Sequence, residues 1–299
     1  MRNTFIKSLC EQAERNDKIF LLCGDLGFSV LEQFAERFPD RYLNVGIAEQ
    51  NMLQVASGLA LEGYKVFVYS IGNFPTLRAM EQIRYDVCYH NLDVTIVAVG
   101  AGYAYGPLGT SHHTTEDIAM MRAIPNMFVC APGDPAEAEL VAKELCERHN
   151  GPAYVRVNKA GEKRIHIEKL ESEKELPIFI KKKGNDSTVV FSTGAVLSYS
   201  LSQLESEYDD YVLYSVPFIS GLTKEAILKS ILSANNVITI EEHQLNGGFG
   251  SHILELCNDL YSSGKLSVFP KIRRIGINNQ FTGVAGSQDY LREISGVHF

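Results

Sequence analysis

The stretch from Leu43 to Gly63, LNVGIAEQNMLQVASGLALEG, restricts this chain more than any other. A short apolar run passes through a glycine into a segment whose apolar residues Met52, Val55, Ala56, Leu59 and Ala60 recur at spacings of three and four. Those residues share one face of a helix, and the face needs a surface to pack on. Gly46 suits a tight strand-to-helix turn because it takes backbone conformations closed to other residues. Glu49 follows in or near the first helical turn. Acids there often just complement the helix dipole or cap it, so Glu49 alone defines no site.

The same alternation runs along the chain. Short apolar runs at 18–24, 65–70, 93–99 and 127–130 read as buried parallel strands, and 76–90, 118–123 and 136–149 carry helical spacing. Asn158 to Asn185 turns charged, and a second alternating block follows, with strands at 188–192, 211–216 and 237–241 and helices at 198–206, 224–234 and from GGFG to about Leu260. The expected fold is α/β, with two parallel-sheet domains, 1–160 and 186–299, joined by a linker at 161–185. The triplet Lys181-Lys182-Lys183 reads as solvated linker or strand edge. Ligands on such sheets sit in the loops beyond the strand carboxyl ends. GGFG could cradle a phosphate, but close helix packing explains it as well.

Several function classes are excluded. The net charge of −8 and the lack of other basic tracts argue against nucleic acid as a partner. No apolar run reaches the ~20 residues of a membrane span, and the polar first helix lacks a signal-peptide core, so the chain reads as cytoplasmic with no membrane partner. The six cysteines have neither disulfide-framework nor zinc spacing, and no metal site is expected on this chain. Gly24-Asp25-Leu26-Gly27 is neither a dinucleotide fingerprint nor a phosphate loop.

GIAEQNM, GPLGTSHHTTEDIA and GPAYVRVNKAG resemble segments of thiamine-diphosphate enzymes of the transketolase type. TGAV, VPFISGLTKEAI, TIEEHQLNGGFGSHI and TGVAGSQDYL resemble the C-terminal domain of the same enzymes, so the likeness spans nearly the whole chain. It implies a pyrimidine-binding domain followed by a transketolase C-terminal domain that serves mainly for dimer packing, with His243 a packed or interface histidine. Thiamine diphosphate is then the cofactor, with Glu49 the catalytic acid that hydrogen-bonds a pyrimidine ring nitrogen. A carboxyl with a solution pKa of about 4.3 shares a proton with a weakly basic ring only in a partly desolvated cleft. Phe74 corresponds to the aromatic that stacks on that ring, although a plain core role suits it too. Ile71 stands where many relatives place a second aromatic, and Asp25-Leu26 resembles a pair beside the cofactor, with turn capping the other reading of Asp25.

His112 takes the place of a catalytic histidine that contacts the reacting oxygens, while His113 matches a glutamine in many relatives and is a substrate-binding candidate of open role. A His-His pair could also ligate metal, but adjacent residues do not chelate without distant ligands. Arg156 matches a substrate-binding arginine suited to phosphate, with a surface ion pair as the rival reading. Leu108 and Gly100 stand where transketolases commonly place a substrate-touching aspartate and histidine, which implies a less polar cleft and an unusual sugar.

The Mg²⁺–diphosphate domain of full-length relatives has no counterpart here. The expectation is therefore the C-terminal subunit of a two-subunit transketolase acting on sugar substrates. Its partner is an N-terminal subunit that holds Mg²⁺ and the diphosphate, in a heterotetramer with two copies of each. A 2-oxoacid dehydrogenase beta subunit, a deoxyxylulose-phosphate synthase fragment and a non-catalytic scaffold are the alternatives. The histidine loop and the EEH string favour transketolase over the dehydrogenase, and Glu49, Phe74 and His112 together speak against a scaffold.

Overall fold

The computed structural model describes residues 1–171 and 176–299, so part of the expected linker lies outside the described residues. The first domain contains strands β1 (Ile19–Cys23), β2 (Tyr42–Asn44), β3 (Lys65–Ile71), β4 (Val94–Val99), β5 (Phe128–Cys130) and β6 (Ala153–Val157). They form one parallel sheet in the order β2-β1-β3-β4-β6-β5. Its helices are α1 (Arg2–Ala13), α2 (Glu32–Arg37), α3 (Glu49–Leu61), α4 (Asn73–Arg78), α5 (Met80–Gln82), α6 (Asp117–Arg122) and α7 (Pro135–Glu147). Every residue of β4 and β6 is buried, as apolar runs in a doubly covered sheet require.

The second domain holds β7 (Ile178–Lys183), β8 (Thr188–Ser192), β9 (Tyr211–Ser215), β10 (Asn236–Gln244) and β11 (Lys271–Ile277), in the order β11-β10-β8-β9-β7. Its helices are α8 (Leu197–Glu207), α9 (Lys224–Ile231), α10 (Phe249–Ser262) and α11 (Gln288–Ser295). Four strands are parallel. The edge strand β7 runs antiparallel to β9 and falls within the stretch expected to be linker, so the lysine triplet lies on a sheet edge. Exposed lysines on an edge strand discourage pairing with another sheet.

The expected helix over 76–90 is broken. Residues 73–78 and 80–82 form short α-helical pieces, and Ile83–Cys88 winds as a π-helical turn. Pro75 falls in the first turn of α4, where a missing N–H costs nothing, the Thr76 hydroxyl donates to the Gly72 carbonyl at 2.6 Å, and the helix breaks at Ala79 (φ −113°, ψ 23°). Elsewhere local signals hold. Asp134 caps α7 by accepting from Glu137 N at 2.8 Å, with Pro135 in the first turn.

The two domains share apolar clusters. Leu22, Met52, Val68 and Ile96 of the first pack in one core with Phe191, Val216, Ile219 and Phe249 of the second. Backbone bonds from Ala131 N to Pro217 O (2.8 Å) and from Gly194 N to Ala131 O (2.9 Å) stitch the junction. All six cysteines are buried and unpaired, and among the described residues no helix is long and apolar enough to cross a membrane.

Candidate active site

The candidate residues gather at the carboxyl edge of the first sheet. Gly46, with φ +76°, turns the chain from β2 into α3 and brings Glu49 to the first residue of the helix. Met52, Leu53, Ala56 and Ser57 bury the inner face, while Val55, Leu59 and Ala60 are half-buried against the same core. Glu49 is 5% exposed, yet its carboxylate has neither hydrogen bond nor ion pair among the described residues. Beneath it the Ser70 hydroxyl, at the end of β3, is also buried without a partner. Buried polar groups are ordinarily satisfied. The orphaned Ser70 hydroxyl and the unpaired Glu49 carboxylate, each 3.9 Å from where a Cβ at Gly24 would stand, are observations in favour of a polar ligand there.

Space and an aromatic surface accompany them. Nothing stands within 4 Å of a side chain built at Gly46. Phe74, in the first turn of α4, is half-buried and faces the His112 ring edge-on at 5.3 Å. His112 is half-buried, with Nδ1 2.9 Å from the Ser111 hydroxyl. The unpaired carboxylate, the open glycine turn and the flat apolar ring are donors and surfaces that fit an aminopyrimidine.

Ile71 ends β3 half-buried. Asp25, at φ +56°, is exposed and bonded through Oδ1 to Asn44 Nδ2 at 3.0 Å, and Asn44 Oδ1 in turn accepts from Gly46 N at 2.9 Å. Asp25 thus braces the turn that positions Glu49, and Leu26 packs against the core beside it.

His113 is buried, with Nε2 3.3 Å from the Gly106 carbonyl and its ring edge-on to Tyr103 at 5.0 Å. It lines a cleft of about 320 Å³ together with Phe74, Leu77, Arg78, Glu116 and Phe281. Leu108 is 56% exposed, and the Tyr105 ring fills the space that a side chain at Gly100 would need.

Arg156 corrects the sequence reading. It lies within β6, 2% exposed, with Nε 2.8 Å from Asp117 Oδ2 and Nη2 bonded to the carbonyls of Thr114 (2.6 Å) and Glu242 (2.8 Å). Tyr154 donates to the same Asp117 carboxylate at 2.6 Å. The guanidinium is therefore spent inside the protein, and neither the phosphate grip nor a surface ion pair describes it. The cation that lines the cleft is Arg78, which pairs with no acid among the described residues.

The second domain holds acids that the sequence reading gave no role. Glu241, wholly buried, accepts from Phe249 N (2.6 Å) and Gly250 N (2.7 Å), so GGFG cradles an internal carboxylate rather than a phosphate. Burial pushes its pKa up to about 7 against those hydrogen bonds. His243 is packed, as expected, and burial holds it down at about 4. Asp134, Glu137 and His166 bring ligand atoms within 4.8 Å of one another. Asp134 is already occupied by the backbone N–H groups of Glu137, Ile165 and His166, so the cluster ties down the segment after β6.

Comparisons with known proteins identify the family. The transketolase pyrimidine-binding domain family matches residues 1–161, and the transketolase C-terminal domain family matches residues 179–293. The chain belongs to the transketolase family and spans these two domains in order. A Methanocaldococcus jannaschii protein named provisionally as a transketolase C-terminal section is 36% identical, over 99% of this chain and 92% of its own length. A subunit of an apulose-4-phosphate transketolase from Actinobacillus succinogenes is 31% identical, over 94% of this chain and 88% of its own. A solved split-gene transketolase, titled an inactive beta4 tetramer, superposes with a TM-score of 0.84 at 31% identity, over 99% of this chain and 93% of that one.

Proposed function

We propose that this chain is the C-terminal subunit of a two-subunit transketolase that moves a two-carbon ketol unit from a ketose to an aldehyde acceptor. The observation that carries the reading is the nearly buried Glu49 carboxylate at the start of α3, which no protein group among the described residues pairs. Bound thiamine diphosphate supplies the carbon nucleophile that takes the ketol unit. Glu49 would form the hydrogen bond to a pyrimidine ring nitrogen, since its carboxylate has no protein partner among the described residues. Phe74 offers a flat apolar surface, where offset ring contact adds ~0.5–1.5 kcal/mol and leaves the ring edges free. His112 donates a proton or hydrogen bond to a substrate oxygen at the mouth of the cleft.

An anionic substrate group is met by Arg78, since Arg156 is enclosed. Leu108 and Gly100 do not line the cleft, whose polar side chains, among them Asn73, Thr110, Ser111, His113 and Glu116, are the handles for a sugar. A separate N-terminal subunit holds Mg²⁺ and the diphosphate, and the assembly contains two copies of each chain in the cytoplasm. The test is reconstitution. The purified chain alone should show no ketol transfer, and the N-terminal partner should restore it in a two-plus-two complex by sedimentation. Turnover by this chain alone would refute the split-site reading.

A further inference from the structure

The loop from Gly100 to Glu116 carries both site histidines, and the second domain fastens it at successive points. Glu242, 3% exposed near the end of β10, accepts from Tyr103 N at 2.5 Å. Its carboxylate is completed by Gln288 Nε2 (2.9 and 3.1 Å) and by Arg292 of α11. A buried carboxylate is costly unless its oxygens are paired, and these are. Gly102 makes the approach possible, since a Cβ there would collide with the Glu242 side chain. The far end of Tyr103 is held as well, its hydroxyl 2.6 Å from the Thr282 hydroxyl. Thr282 O accepts from the Thr110 hydroxyl at 3.1 Å, and Gln244 N donates to Thr115 O at 2.8 Å. Tyr103, pinned at both ends, stands edge-on against the His113 ring.

We propose that Glu242 and Thr282 are positioning residues for the histidine loop, through which the second domain sets the placement of His112 and His113. The proposal deepens the ketol-transfer reading and, for its kinetic part, rests on it. Glu242 does not line the cleft, whereas Thr282 lines it with Phe74 and His113, so Glu242→Gln loosens the loop without removing a group from the cleft wall. A shift of about 1 Å in a catalytic group can cost ~10²-fold in rate.

The experiment uses Thr282→Val, Thr282→Ser and Glu242→Gln in the assembly with the N-terminal partner. Thr282→Val keeps the shape and removes the hydroxyl, Thr282→Ser keeps the hydroxyl, and Glu242→Gln removes the charge. Thr282→Val should lower kcat by about 3- to 10-fold and Glu242→Gln by about 100-fold, with Thr282→Ser close to wild type. Cofactor affinity and exchange of the thiazolium C2 proton should stay within about twofold, a split that general unfolding would not give. Amide hydrogen exchange supplies a readout that needs no turnover. Peptides covering 103–115 should lose protection in Thr282→Val, while those covering 49–61 keep it.

Wild-type kcat and loop protection in Thr282→Val would overturn the proposal, as would a parallel loss of C2-proton exchange. If Glu242→Gln does not fold, the Thr282 pair decides. A wild-type assembly with neither proton exchange nor ketol transfer would refute the function, while loop protection would still judge the fastening.

Discussion

Glu49 is the first residue of α3 and Glu241 lies within β10, one in each domain, and both are nearly or wholly buried. Glu241 is satisfied from within by Phe249 N and Gly250 N at the start of α10. Glu49 heads α3 with no partner among the described residues, beside the unpartnered Ser70 hydroxyl. The two domains have therefore placed a buried acid near a helix start and used it in opposite ways. In the second domain the helix start is closed by that carboxylate and serves packing. In the first it is left open, with an acid, 5% exposed, that has no protein partner among the described residues and is free to meet a ligand.

The sharpest way to break this comparison is to neutralise each acid in turn. Glu49→Gln in the complete assembly should lower kcat by about 10³-fold or more, because Gln keeps the size and loses the shareable proton. Glu241→Gln should leave kcat within a few-fold. Steady-state kinetics on the two variants checks this, and similar losses in both would mean that the two acids are alike. A smaller effect is expected at the aromatic surface. Phe74→Ala should weaken cofactor affinity by about 1–3 kcal/mol through lost apolar contact, as measured by calorimetric titration of the assembly.

The third contrast is in stability against pH. Burial holds Glu241 and Glu137 up at about 7, from an ordinary 4.5, so the folded protein keeps protons that the unfolded chain releases. Each of these acids therefore loses stability as pH rises from 4.5 to 7. Burial holds His243 and His252 down at about 4, from 6.5, so each adds stability as pH rises through that window. The four contributions oppose one another. Glu241→Gln removes one of the falling ones, so the variant should gain stability relative to wild type by up to about 1.4 kcal/mol per pH unit between pH 4.5 and 7. Denaturant midpoints at several pH values check the slope, and parallel profiles would mean that Glu241 is ionised throughout.

Much of the fold was legible because fully covered parallel strands are written as unbroken apolar runs, as in KVFVYS and DVTIVAV. The Gly46 turn and the apolar face of α3 were legible for the same local reasons. What was not legible depends on partners far along the chain. β7, with IFIKKK, shows charge where it lies on an edge, and β11, with KIRRIGI, mixes arginine into its exposed half. The break after Arg78 comes at Ala79, whose backbone (φ −113°, ψ 23°) leaves the helical region, a departure that helical spacing does not reveal.

Arg156 is the instructive miss at the site. Aligned as a motif it suggested a substrate grip, yet AYVRV is apolar on both sides of it, and an arginine inside a doubly covered strand has to find its acid indoors. That acid, Asp117, lies in another element and carried no local signal. Glu242 was hidden in the same way, since its contact with Tyr103 joins residues 139 positions apart.

The central claim is that the open junction at Glu49 is where the cofactor's pyrimidine is held. The most direct measurement is exchange of the thiazolium C2 proton, followed by rapid quench in deuterated buffer, on the full assembly with wild-type, Glu49→Gln and Glu241→Gln chains. The account predicts exchange slowed by about 10²- to 10⁴-fold in Glu49→Gln and unchanged in Glu241→Gln. Wild-type exchange in Glu49→Gln would contradict it and leave Glu49 as an acid at the start of a helix.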